Sequence, residues 1–228
     1  MNLDSPAKIH VYFMPGLAAS PDIFEYIKLP RQKFEMHYLD WFRPQPGMSL
    51  QQYARRMAES VTSPDPVLVG VSFGGMLVQE MAAYLNPSKV IIISSIKSQK
   101  EMPRRLLLAR YTKLHKLLPT GMINNVEVLA RFAFGDPVRK RLELYERYLG
   151  MRDKTYMDWA IDRIVHWDRK DPEPGLIHIH GERDSVFPMA YVGDCLAVPG
   201  GTHTMIIHRY KWFNERLPGI ILQDAGTI

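Results

Sequence analysis

Six strand-sized apolar runs punctuate this chain: KIHVYFM at 8–14, FEMHYLDW at 34–41, PVLVGV at 66–71, KVIIISS at 89–95, GLIHIHG at 175–181 and CLAVPG at 195–200. Several are apolar at nearly every position, so both faces of the strand need cover. Helical patterns stand between them, SLQQYARRMAESV at 49–61 and GGMLVQEMAAYL at 74–85. Strands that are covered on both sides and alternate with helices predict an α/β fold. The expected architecture is a doubly wound, mostly parallel six-stranded sheet with helices on both faces.

The alternation breaks once. Between the fourth and fifth runs, residues 97–170 contain no convincing strand and read as three or four helices, among them EMPRRLLLARYTKLHKLL and PVRKRLELYERYLG. An interval that long is expected to be a helical cap inserted after the fourth strand rather than a loop. Residues 1–96 and 171–228 then form the core of a single domain, which a chain of 228 residues with 46% hydrophobic content can fill. DPEPG at 171–175 is the turn that returns the chain to the sheet.

Charge and cysteine usage narrow the partners. The formal charge is +5, but residues 97–170 hold 17 Lys and Arg against 9 Asp and Glu, leaving 12 against 15 elsewhere. The basic character is local, and no zinc-finger spacing, RNP signature or basic zipper accompanies it, so nucleic acid is not an expected partner. The basic stretch from Lys97 to Leu118 reads either as a helix with its leucines on the core and its cations in water or as a surface that attracts an anionic substrate or an acidic membrane, and the sequence leaves the choice open. No apolar run approaches the ~20 residues of a membrane helix, no secretory signal is visible at the start, and a lone Cys195 forms no internal disulfide. A cytoplasmic protein without a membrane partner is expected.

The segment GVSFGG, residues 70–75, lies between an apolar strand and an amphipathic helix. A serine hydroxyl needs a base to take its proton and must project far enough to reach a carbonyl. The apex of a sharp strand-to-helix turn provides that projection, and it tolerates no bulk two residues to either side. Gly70, Ser72 and Gly74 fit this elbow, with Ser72 as the nucleophile. In a parallel sheet every strand ends at the same edge, so residues that follow different strands meet in space. Asp184 follows the fifth run and His203 the sixth, which makes them the candidate acid and base. Asp194 precedes its strand, while His10, His37, His178 and His180 lie within strands and His208 lies further down the last helix.

Two backbone amides are candidate donors to an oxyanion. Phe73 opens the helix after the serine, and Leu17 follows the tight turn at Gly16 in the loop after the first strand. Gly16, Trp41, Phe42, Phe132 and Phe134 are the candidate substrate-binding residues, with the aromatic side chains, Phe73 among them, walling an apolar pocket between sheet and cap. His178 and His180 share one strand face but lack further ligands at matching spacing, so they are expected to pack in the sheet. Cys195 is expected to be a small buried residue. No metal or other cofactor is expected.

GVSFGG, HGERD and GGTHTM, together with PGL after the first strand, resemble the α/β-hydrolase superfamily, specifically its small esterase-like members. The resemblance covers nearly the whole chain and implies Ser72 as nucleophile, Asp184 as orienting acid and His203 as base. It departs in two places: few residues precede KIHVYFM, and PG stands where many relatives carry HG. The function expected is a serine hydrolase cleaving a small or medium carboxylic ester or thioester through an acyl-enzyme. The alternative is a hydrolase-fold ligand-binding protein, or a lyase or acyltransferase with little hydrolytic turnover. The expected partner is a small-molecule acyl substrate.

Overall fold

The computed structural model describes residues 7–112 and 147–223. Its strands are β1 (Ile9–Met14), β2 (Phe34–Tyr38), β3 (Val67–Val71), β4 (Lys89–Ile93), β5 (Ile177–Gly181) and β6 (Leu196–Val198). All pair in parallel, in the order β2-β1-β3-β4-β5-β6. The helices are α1 (Leu50–Ala58), α2 (Phe73–Met81), α3 (Arg104–Thr112), α4 (Lys154–Val165), α5 (Met205–His208) and α6 (Tyr210–Leu222). Each of the six expected strands forms. Among the described residues, no helix is long and apolar enough to cross a membrane.

Alternation along each strand divides the core in two. Tyr12, Met14, Leu68, Val90 and Ile92 face one side, where α1, α2 and α4 cover them. Val11, Phe13, Val67, Val69, Val71, Ile91 and Ile93 face the other, under α5 and α6. Each such side chain contributes roughly 1.5–3 kcal/mol by burial. Because both faces of β3 are apolar, a one-residue slip would cost little hydrophobic energy there, so the pattern alone does not set its register. Gly70 does: a Cβ at that position would stand 2.3 Å from the Gly74 carbonyl oxygen. Only a glycine lets the start of α2 approach the strand so closely.

Local signals set the helix limits. Ser49 caps α1 in a reciprocal box, its hydroxyl accepting from the Gln52 amide at 3.1 Å while the Gln52 side chain accepts from the Ser49 amide at 2.8 Å. The helix ends three residues before the expected position, because the amides of Ser60 and Val61 bond back to Met57 and Ala58 in tighter turns. All nine residues of α2 are buried, as fits a helix enclosed between the sheet and other helices.

Between β4 and β5 the described residues form a 3-10 turn at Gln99–Glu101 and the helices α3 and α4. Met157, Ala160, Ile161 and Ile164 of α4 join the first core cluster. Residues 113–146 of the expected cap lie outside the described residues, and with them the candidate pocket residues Phe132 and Phe134. Cys195 is half-buried rather than buried, since β6 is an edge strand with one neighbour.

The chain order matters for function. From β1 the chain moves outward to β2, then returns to β3 on the other flank of β1. The loops that follow β1 and β3 therefore diverge and leave a crevice at their carboxyl ends, where ligands bind in open α/β sheets. Gly16 and Ser72 stand on the two sides of it.

Candidate active site

The turn between β3 and α2 forces Ser72 into a conformation that L-residues rarely adopt, with φ 53° and ψ −119°. Such backbone stores on the order of 1–3 kcal/mol and persists only where its surroundings hold it. Here the Ser72 amide donates to Ile93 O at 2.9 Å. Its carbonyl accepts from the Gly75 amide at 2.9 Å and the Ser95 hydroxyl at 2.7 Å. Gly74 is needed for the same reason as Gly70, since a Cβ there would lie 2.3 Å from Pro15 O. Gly75 adds a third close approach: its Cβ would meet Ser95 at 2.6 Å. The second glycine of the GG pair was the available signal for this position.

The loops after β5 and β6 carry the partners of Ser72 and are joined by a hydrogen bond from the Arg183 amide to Gly201 O at 2.8 Å. Asp184 Oδ1 accepts the amides of Val186 at 2.8 Å and Phe187 at 2.9 Å, which leaves Oδ2 directed at His203 Nδ1, 2.9 Å away. His203 Nε2 lies 2.9 Å from Ser72 Oγ. Burial favours the neutral carboxyl of Asp184. The charge and hydrogen bond of His203 and the Phe187 amide outweigh it and hold the group below the ordinary 3.8. An ionised carboxylate only accepts, so Nδ1 of His203 carries the proton and Nε2 presents a lone pair to the serine hydroxyl. Sequence spacing predicted this convergence of Ser72, Asp184 and His203, and the structure brings the three together.

Trp41 stands behind the oxyanion candidates rather than in front of them. Its indole N–H donates to Gly16 O at 2.8 Å, and its ring stacks on Phe73 at 5.1 Å and 8°. A trans peptide points its N–H opposite to its C=O, so anchoring Gly16 O turns the Leu17 amide away from the indole. The next residue, Ala18, has φ 59°, and its amide donates to the buried Tyr156 hydroxyl at 3.3 Å. Among the described residues, the amides of Leu17 and Phe73 have no acceptor. Phe42 stacks on Tyr53 at 3.9 Å and 9° and does not line the cleft beside Ser72. A narrow cleft beside Ser72 is lined by Leu17, Ile23, Val71, His203, Ile206 and Ile207. Its aliphatic walls come from α5 and from the 3-10 turn Pro21–Phe24, which carried no motif.

His178 and His180 pack within the sheet, as expected, but they also brace the acid. The Phe187 carbonyl can only accept, so His180 Nε2, 2.8 Å away, is the donor there. His180 Nδ1 then accepts from His178 Nε2 at 3.0 Å, and His178 Nδ1 is left without a partner among the described residues. This chain ends on the same residue whose amide holds Asp184.

Burial lowers the pKa of both imidazoles, and their mutual repulsion lowers His178 further. Below the ordinary value of 6.5 the unfolded chain therefore binds more protons than the native one, and stability falls as the pH drops. Thermal melts are expected to be flat above about pH 7 and to lose midpoint steadily below 6.5. His178→Gln keeps an N–H donor without a titrating group and should flatten that decline. An unchanged slope would count against the two histidines as its source.

The crevice, the strained serine and the Asp-His-Ser chain define a class: a doubly wound α/β protein with a strained serine turn at its topological switch point. The family model for the alpha/beta hydrolase family matches residues 11–216. The chain belongs to that family. Among the curated proteins, none is similar in sequence. Solved structures show the fold at low identity. A hydrolase from Oleispira antarctica superimposes with a TM-score of 0.73 at 12% identity, covering 96% of this chain and 93% of that one. The enol-lactonase from Burkholderia xenovorans has a TM-score of 0.70 at 13% identity, with coverages of 96% and 94%. An esterase from Exiguobacterium antarcticum has a TM-score of 0.67 at 17% identity, with coverages of 95% and 93%.

Proposed function

We propose that this protein is a serine hydrolase that cleaves a small or medium carboxylic ester or thioester through an acyl-enzyme. The observation that carries this reading is the unbroken hydrogen-bonded chain from Asp184 through His203 to Ser72, both links 2.9 Å. Ser72 Oγ attacks the carbonyl carbon while His203 Nε2 takes its proton, and Asp184 stabilises the imidazolium. The amides of Leu17 and Phe73 receive the developing oxyanion. Collapse expels the alcohol or thiol, which takes the proton back from His203. Water then attacks the acyl-enzyme with His203 again as base. Side chains, substrate and water supply every proton and electron pair in this cycle, so it calls for no cofactor. The aliphatic cleft of Ile23, Ile206 and Ile207 suits an apolar substituent on the substrate. A cytoplasmic location and a small-molecule acyl partner complete the proposal.

A fluorophosphonate probe tests it directly. The Ser72 oxygen should displace fluoride and form a stable phosphonyl adduct, located by peptide mass, and a p-nitrophenyl ester should give a burst followed by steady turnover. Folded protein without an adduct on Ser72 would overturn the proposal. Labelling without repeated turnover would favour a binding or acyl-transfer role instead.

A further inference from the structure

At the edge of the sheet, where β1 pairs with β2, lies a second cluster of chemistry-bearing side chains. Glu35 and His37 are two residues apart on β2 and so project from one face, and the β1–β2 register pairs His10 with Glu35 on that same face. His10 Nδ1 and His37 Nε2 are 2.8 Å apart. With a Glu35 carboxylate oxygen, the three ligand atoms lie within 4.8 Å of one another. His10 and His37 are half-buried and Glu35 is exposed, so solvent reaches the cluster.

Packing fixes the rings. His37 stacks on Tyr12 at 4.4 Å and 14° and on His10 at 5.1 Å and 20°. Tyr12 is itself held by Ser63, whose hydroxyl lies 2.9 Å from the phenol oxygen and whose amide donates to it at 3.3 Å. Glu35 has no hydrogen-bond or salt-bridge partner among the described residues, so its carboxylate is available.

We propose that His10, Glu35 and His37 bind one borderline divalent transition-metal ion, such as Zn²⁺, and that this ion pins the edge strand β2 to β1. Two imidazoles and one carboxylate suit Zn²⁺, Ni²⁺ or Cu²⁺ rather than Ca²⁺ or Mg²⁺, which take oxygen ligands. Zn–N bonds of about 2.0–2.1 Å in a tetrahedron place the two nitrogens about 3.3 Å apart. The present 2.8 Å separation therefore opens by roughly half an ångström, through small ring rotations, and the ring that now donates takes its other tautomer, its proton passing by way of solvent to its second nitrogen so that both ligating nitrogens present lone pairs. A water completes the fourth position. None of the three residues belongs to the Asp184–His203–Ser72 chain or lines the cleft beside Ser72, so the site is separable from the proposed hydrolysis.

The test uses metal-free protein without an affinity tag. It is titrated with ZnCl₂ by calorimetry and with CoCl₂ by visible absorption, beside His10→Ala, His37→Ala and Glu35→Gln. The wild type should bind one equivalent at micromolar or tighter affinity and melt at a higher temperature with zinc. Each histidine variant should bind at least about tenfold more weakly, the smallest loss that even outer-shell partners produce. Glu35 is exposed, so Glu35→Gln keeps the test valid should a histidine variant misfold, and it should weaken binding several-fold and alter the Co²⁺ spectrum. The chain has eight histidines, and adventitious zinc on the others would leave all four proteins alike. Equal affinity across the set, or a wild-type affinity no tighter than millimolar, overturns the site.

Discussion

Ser72→Ala is expected to lower the turnover of an activated ester by about 10⁵-fold while the protein still folds, because the attacking oxygen is gone and every main-chain contact of the elbow remains. The Ser72 amide and carbonyl, not its hydroxyl, make the bonds to Ile93, Gly75 and Ser95. Alanine carries the same Cβ at φ 53°, so the stored strain persists and the melting temperature should stay near that of the wild type. Ser72→Gly separates strain from chemistry. It should lose activity as completely but melt higher, since glycine enters the left-handed region without steric cost. Removing His203 or Asp184 as well should add little, because the three residues act as a unit. Steady-state kinetics with calorimetric melts on the two variants decide the matter. Retained turnover in Ser72→Ala would exclude the acyl-enzyme.

Much of this arrangement was legible in the sequence because it rests on chain order. The six apolar runs placed every strand among the described residues, and the rule that parallel strands end at one edge brought Asp184 and His203 to Ser72 from 112 and 131 residues away. What escaped were bonds that depend on register and side-chain reach. Trp41 is an aromatic residue just after a strand, and nothing in its neighbourhood of the chain announces an indole bond to Gly16. The expected run at 34–41 extended past Tyr38, where β2 ends, because those last residues turn back toward the loop after β1. His10, Glu35 and His37 are unremarkable strand residues until the pairing of β1 with β2 is known. His178 and His180 read correctly as sheet packing, yet their bond to Phe187 requires the turn after β5 to fold back onto the strand.

Gly74→Ala is the second large effect and the harsher one for the fold. The added methyl would sit 2.3 Å from Pro15 O and 2.5 Å from Met14 O, both main-chain atoms that cannot rotate away. Helix propensity favours alanine over glycine by at most about 1 kcal/mol, whereas overpacking of this kind costs about 1–3 kcal/mol or more. The clash therefore wins, and the melting temperature should drop by several degrees for a domain of this size. The start of α2 and the loop after β1 must part to relieve it, and these two segments carry the amides of Phe73 and Leu17. A displacement near 1 Å at such donors costs on the order of 10²-fold in rate. Activity should thus fall further than the loss of folded protein explains, with kcat reduced in samples shown to be fully native. Gly219→Ala is the matched control: it lies in α6 with nothing within 4 Å of its new methyl, and there the helix propensity should prevail and raise the midpoint slightly. Should Gly74→Ala behave like Gly219→Ala, the close approach of elbow and loop is not what holds the two proposed donors in place.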